Sequence, residues 1–355
     1  MNTSFFGELL QTIAERGRAL LARDRRGAPS ARSESLVELC EDLLSGRGEA
    51  SGVALAREIL GRYATLTTGP RIAFFEALAQ RFGTEPARME QAIAAWRANP
   101  SDTTAAEVHV ASEPRRQELF RRLNLAPGGT AALVRMREQL MDSLDRRSED
   151  LAAVDADFVH LFSSWFNRGF LVLRHIDWST PAIVLEKIIR YEAVHEIRGW
   201  DDLRRRIDPP DRRCYAFFHP ALVDEPLIFV EVALERDIPG AIAPILASGR
   251  QQVVEPDKAR IAVFYSISNC QRGLSGVSFG NFLIKQVVEE ICRELPKLTT
   301  FVTLSPVPSF ARWLAAELKV ENSPAISASD RVTFELMDAR IGGPIRKSSA
   351  IWKSR

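Results

Sequence analysis

The chain has 355 residues, 46% of them apolar, which is enough to build full-sized cores in two domains. Its 47 basic and 46 acidic residues leave a net charge of +1, which argues against a broad nucleic-acid or membrane-surface footprint. Cys40, Cys214, Cys270 and Cys292 show neither a CxxC pair nor zinc-site spacing, so a reducing compartment and no metal are expected. Met1-Asn2-Thr3-Ser4 leads into charged sequence rather than a signal peptide, and no apolar run reaches the roughly 18 residues of a membrane span, so a cytoplasmic protein is expected.

Residues 1 to about 166 read as helices separated by short polar or glycine-containing breaks. Phe5, Phe6, Leu9, Leu10 and Ile13 recur at helical spacing, and Leu36, Leu39, Leu43 and Leu44 begin a second stripe that Ser45-Gly46-Arg47-Gly48 ends. Further helices are predicted over Val53 to Leu66, Arg71 to Phe82, Pro86 to Ala98, Ser112 to Leu123 and Thr130 to Phe166. Thr84-Glu85-Pro86 supplies a helix start and Ala126-Pro127-Gly128-Gly129 a break. The apolar stripes read as the core of a helical bundle.

The pattern changes after Asn167-Arg168-Gly169, where Phe170-Leu171-Val172-Leu173 begins strand-like sequence. Ser179-Thr180-Pro181 predicts a helix start, and a helical segment follows over Asp201 to Ile207. Strands are predicted over Cys214 to Phe218, Leu227 to Leu234, Ile261 to Ser268 and Thr300 to Leu304, so residues 167–355 read as an α/β or α+β domain. Between the last two strands lies Gln271-x-Gly273-x-x-Gly276-x-x-x-Gly280, followed by a helix. An apolar strand, a glycine loop and a helix in that order suit a phosphate-bearing ligand, because free N–H groups and the positive end of the helix attract a pyrophosphate. The spacing fits neither the dinucleotide-binding fingerprint nor the lysine-bearing phosphate loop, which leaves coenzyme A as the favoured ligand. The crossover to the next strand predicts a parallel pair, bringing Ser305-Pro306-Val307-Pro308 to the edge of the sheet where the loop lies.

At these residues the chain resembles the malonyl-CoA decarboxylase family. The likeness is carried by Phe264-Tyr265-Ser266-Ile267-Ser268, by Gln271-x-Gly273-Leu274-x-Gly276-Val277, by Gly280-x-Phe282-Leu283-Ile284-Lys285 and by Leu304-Ser305-Pro306-x-Pro308-x-Phe310. Arg213-Cys214-Tyr215, Glu225-Pro226-Leu227, Val232-Ala233-Leu234 and Glu192-Ala193-Val194-His195 extend it upstream, and Ile341-Gly342-Gly343-Pro344 extends it thinly downstream.

The resemblance implies an N-terminal helical domain (1–166) that mediates homo-oligomerisation and a C-terminal domain (167–355) related to the GNAT acetyltransferase fold. It implies malonyl-CoA as substrate, cleaved to acetyl-CoA and CO₂ through a thioester enolate, with no cofactor beyond the coenzyme A that the substrate carries. Substrate-binding residues would be Gln271, Gly273, Ser275, Gly276, Val277, Ser278, Phe279, Gly280, Asn281 and Ile284, with Ser305 catalytic. In the family this serine works with a histidine of a later motif, near Asn-Phe-His-Leu. None of the five histidines here (His109, His160, His175, His195 and His219) has those surroundings. The expectation is a C-terminally incomplete acetyltransferase-like domain with impaired activity. His219, at a strand end, is a candidate substitute acid, although a structural role is the simpler reading. An acyl-CoA N-acyltransferase and a non-catalytic acyl-CoA-binding protein are the alternatives. Glu231 is costly to bury unpaired, and strand alternation permits it to face solvent or a cleft. Arg204-Arg205-Arg206 with Arg212-Arg213 either touch coenzyme phosphates or form a solvated basic face.

Overall fold

The computed structural model describes residues 35–46, 49–144, 149–247, 253–279, 282–307, 309–320 and 323–341. The chain divides into two compact units, Met1–Thr303 and Leu304–Arg355. The predicted Phe5–Ile13 stripe lies outside the described residues.

The first unit opens with α1 (Leu36–Leu44), α2 (Glu49–Ala64), α3 (Thr68–Arg81) and α4 (Pro86–Ala98). Ser35 starts α1 with a reciprocal cap: its hydroxyl accepts from the Glu38 N–H at 3.2 Å, and its own N–H donates to Glu38 Oε2 at 2.7 Å. Pro86 opens α4 at a position where no N–H is needed. The helix predicted over Ser112 to Leu123 is α6 (Arg115–Asn124), and before it lies α5 (Asp102–Ser112), which the sequence reading does not predict. Pro114 separates them, because it disfavours helical geometry at the residue before it. Of the residues of α5, Ala111 alone is buried, so α5 offers no apolar stripe to read, and a second cap at Ser101 and Thr104 begins it.

The long helix predicted over Thr130 to Phe166 is likewise two, α7 (Gly129–Leu144) and α8 (Glu149–Trp165). Arg137 and Asp155 are 18 residues apart, which on one straight helix is about 27 Å. Their side chains nevertheless pair at 2.8 Å, so the chain has turned back between them. Phe120 of α6 stacks on Phe158 of α8 with ring centres 4.1 Å apart. Nearby, Asp157 receives both Arg116 and Gln117 in a buried, fully paired arrangement.

The sheet is mixed, with strand order β1 (Val172–His175), β2 (Arg212–Phe218), β3 (Pro226–Glu235), β4 (Ile261–Asn269) and β5 (Thr300–Thr303). Neighbours are antiparallel up to β4, and β4 and β5 run parallel through the crossover helix α12 (Phe282–Glu294), as the sequence predicts. α9 (Ala182–Tyr191) and α10 (Trp200–Ile207) precede β2, and the short α11 (Ala243–Leu246) follows β3.

Alternation along the strands sends Phe217, Val230, Val232, Leu234 and Phe264 into one apolar cluster with Leu119, Phe120, Leu140 and Phe162 of the helices. The opposite face, with Cys214, Ala216, Phe218 and Phe229, packs against Val184, Leu185, Ile188 and Leu203 of α9 and α10. Burial on both faces explains why β3 reads as a continuous apolar run. The second unit contains α13 (Phe310–Glu317) and α14 (Ala328–Ile341); within it, Arg331 donates to the Leu318 carbonyl at 2.7 Å. Among the described residues, no helix is long and apolar enough to cross a membrane.

Candidate functional site

β4 is an inner strand whose end sets the start of the glycine loop. The Cys270 N–H still pairs with the Leu227 carbonyl at 2.8 Å, after which the chain coils into a single tight turn over Arg272–Leu274. Leu274, Ser275 and Val277 donate to the carbonyls of Gln271, Arg272 and Leu274, at 2.9, 2.9 and 3.0 Å. Among the described residues, the N–H groups of Gly276, Ser278 and Phe279 donate to no other group. A loop with its carbonyls satisfied and several N–H groups free is suited to an anion.

The sequence-predicted binding residues divide by orientation. Ser275, Gly276 and Ser278 are exposed, whereas Gly273 and Val277 are buried and Phe279 and Ile284 pack against the main apolar cluster. Gln271 is half-buried and turned inward, donating to the Pro226 carbonyl at 3.1 Å, with Glu225 Oε2 at 3.4 Å. Gly280 and Asn281 lie outside the described residues.

The glycines serve different ends. Gly276 has φ +80° and open space around its Cα, so it makes a left-handed bend that a side chain would strain. Gly273 is held against α7: an added Cβ would stand 2.9 Å from Val134 Cγ1 and closer still to the Val134 carbonyl oxygen. Its close approach is therefore to a helix. From that helix Arg137 reaches the loop, donating to the Gly273 carbonyl at 2.9 Å and the Ser275 carbonyl at 2.6 Å while paired with Asp155. Arg272 pairs with Asp142 at 2.7 Å on the surface.

β5 ends opposite Phe264, so among the described residues no strand pairs with Tyr265 to Asn269 of β4 on that side. Ser305 follows β5 by two residues in the second unit. It is exposed, and among the described residues its hydroxyl makes no hydrogen bond. His219 follows β2, and antiparallel pairing puts that strand end on the same side of the sheet as the end of β4. Its ring packs on Phe166 with centres 4.9 Å apart, and Nδ1 accepts from the Ala221 N–H at 3.1 Å. Burial lowers its pKa, against a hydrogen bond with the Trp165 backbone that raises it.

The expectation that Glu231 faces solvent or a cleft is corrected. A β-bulge leaves Tyr265 without a partner between the Glu231–Ser266 and Val232–Phe264 pairs, and Glu231 is completely buried against Arg206 Nη1 at 3.0 Å. Burial pushes its carboxyl up to about 8, and Arg206 opposes that rise. The solvated-face reading of the arginines is corrected in part. Arg206 and Arg212 are buried, Arg212 donating to the Ile245 carbonyl at 2.8 Å, while Arg204 lies over Trp178 and Arg213 pairs with Glu294. A cavity of about 140 Å³ lies beside Arg206, Asp211, Arg212 and Tyr265.

Sequence reasoning missed Arg137 and Asp155, since nothing local marks a loop contact 136 residues away. It also gave Glu192 no role. That carboxylate accepts from the Val194 and His195 N–H groups and from the Ser266 and Ser268 hydroxyls, tying the end of α9 to β4. Among the described residues no cluster of three potential metal ligands occurs.

These features define a class: an all-α region followed by a mixed α+β sheet that presents a glycine loop at the end of an inner strand. Residues 82–166 match the Malonyl-CoA decarboxylase N-terminal domain, and residues 169–348 match the Malonyl-CoA decarboxylase C-terminal domain. The chain belongs to the malonyl-CoA decarboxylase family. The solved malonyl-CoA decarboxylase of Rhodopseudomonas palustris is 60% identical with a TM-score of 0.79, and that of Agrobacterium vitis is 58% identical with a TM-score of 0.80. Each comparison covers 85% of this chain and 73% of the other. The mitochondrial malonyl-CoA decarboxylase of Rattus norvegicus is 33% identical over 330 residues, covering 90% of this chain and 63% of its own length. That of Anser anser anser is 41% identical over 209 residues, covering 58% of this chain and 41% of its own length.

Proposed function

We propose that the chain decarboxylates malonyl-CoA to acetyl-CoA and CO₂, acting as a carbon–carbon lyase. The observation that carries this reading is the 60% identity to a solved protein named malonyl-CoA decarboxylase. The loop agrees with it, since its free N–H groups suit the pyrophosphate of coenzyme A. Pantetheine carries two amides, which suit the β5 side of β4 past Phe264, where among the described residues no strand pairs with it.

Loss of CO₂ from a malonyl thioester pushes an electron pair toward the thioester oxygen, so the reaction needs hydrogen-bond donors at that oxygen. Loop N–H groups are the candidates for this, and Ser305 would hold the departing carboxylate or relay a proton. Carbon two must then take a proton. The reading includes impaired turnover, since a general acid at this step typically contributes about 10²-fold to 10⁴-fold. His219 as a replacement acid belongs to the same proposal. No cofactor beyond the coenzyme A of the substrate is invoked.

The proposal extends to a GNAT-related sheet with a boundary near residue 166, homo-oligomerisation through the helices and a cytoplasmic setting without nucleic-acid or membrane partners. The adjoining family matches at 82–166 and 169–348 support the boundary. The same loop would also serve a second reading, a non-catalytic acyl-CoA-binding protein. Incubation with malonyl-CoA in deuterated water, followed by mass spectrometry, separates them: acetyl-CoA carrying deuterium at carbon two is expected. Bound but unconverted malonyl-CoA would favour the second reading. Label passing from acetyl-CoA to an added amine would favour an N-acyltransferase.

A further inference from the structure

We infer that Arg137 is a positioning residue for the coenzyme loop, so that the helical region presets the ligand-binding backbone as well as packing beneath it. The inference rests on the coenzyme reading of that loop. Arg137 is 3% exposed and its guanidinium is shared between two tasks. Nε and Nη2 hold the Asp155 carboxylate at 2.8 and 3.2 Å, and Nη1 holds the carbonyls of Gly273 and Ser275 at 2.9 and 2.6 Å. The planar guanidinium fork ties these four bonds to one orientation, and Asp155 fixes the fork from behind.

The two carbonyls bracket Leu274 and stand immediately before the exposed bend at Gly276. Fixing the Ser275 carbonyl fixes the plane of the peptide that it shares with the Gly276 N–H, one of the loop's free donors. The adjacent Gly273 is closed against Val134 on its other side, so the loop is gripped by one helix through both packing and charge. A donor array held in place before the ligand arrives binds without the ordering cost that a free loop would incur. Arg137 touches no ligand in this account; it acts through the loop backbone.

The test measures the dissociation constant of coenzyme A together with amide hydrogen exchange over 270–279, for the wild-type chain, Arg137→Gln and Arg116→Gln. Arg116 is a buried, ion-paired arginine of the same helical region whose partner is Asp157 and which makes no hydrogen bond to the loop. Arg137→Gln is expected to weaken coenzyme A binding about tenfold and to speed exchange within the loop. Arg116→Gln is expected to lower overall stability while leaving the dissociation constant within about twofold, a separation that a purely structural role for Arg137 would not produce. Should Arg137→Gln fail to fold, Asp155→Asn loosens the fork without emptying its site and is expected to weaken binding about threefold. Binding by the wild-type chain that the variants at Arg137 and Asp155 leave unchanged would overturn the inference alone. Absence of coenzyme A binding by the wild-type chain would overturn the coenzyme reading, and the inference with it.

Discussion

Two glycines of one loop are predicted to fail in different ways when each becomes alanine. At Gly273 the new methyl would meet the backbone carbonyl of Val134 and stand 2.9 Å from its Cγ1, in a buried contact that Arg137 holds closed. Overfilling a packed site costs about 1–3 kcal/mol, and a clash with helix backbone belongs at the upper end, so Gly273→Ala is expected to cost about 3 kcal/mol or more. At Gly276 the methyl meets nothing within 4 Å, and the cost is the left-handed backbone, φ +80°. That strain is about 1–2 kcal/mol, partly offset by the lower entropy of the unfolded alanine chain, for a net cost of about 1 kcal/mol. Urea unfolding followed by circular dichroism, with both variants measured beside the parent chain, reads the two costs. A Gly273→Ala midpoint equal to the parent's, or a Gly276→Ala variant more damaged than Gly273→Ala, would refute the assignment of Gly273 to helix packing.

Other consequences can be checked in the same material. Asp157→Ala is expected to destabilise by about 3–5 kcal/mol, because it strands Arg116 as a buried charge and frees Gln117; equal urea midpoints would contradict this. The Glu231 carboxyl, pushed up to about 8 in the fold from an ordinary value of 4.5, keeps its proton where the unfolded chain has lost it. Stability from this group is therefore expected to decline as pH rises from about 5 to about 8, and Glu231→Gln is expected to flatten that decline in thermal melts taken across the range. Arg206 keeps its proton throughout, so the carboxyl is the member of the pair that titrates.

The legible parts of the fold were those with local signatures. Pro86 placed the start of α4, and Thr300–Thr303 and Ile261–Asn269 were readable as strands from apolar runs bounded by turns. The parallel pairing of β4 and β5 followed from the crossover helix between them. α5 was hidden because its surroundings bury a single alanine, and the break between α7 and α8 was hidden because Asp145-Arg146-Arg147-Ser148 contains neither glycine nor proline. Glu231 was misread because alternation gives a face and not its contents: the opposite side of the sheet is also covered, by α9 and α10, and Arg206 makes the burial tolerable. Within the site, the glycine loop between β4 and α12 was readable from the strand-loop-helix order. The grip of Arg137 was not, since it depends on how the helices pack against the sheet. The fixed packing of Gly273 was hidden for the same reason, because a sequence does not distinguish a glycine kept small for a helix from one kept small for a ligand.

The central claim is tested most directly by supplying malonyl-CoA labelled at its free carboxylate to the purified chain and to Ser305→Ala, and by counting released CO₂ against a protein-free control. The account predicts release above the control by the parent chain, at a reduced rate, with Ser305→Ala lower by about 10²-fold or more. Malonyl-CoA that binds without any serine-dependent release of label would contradict it.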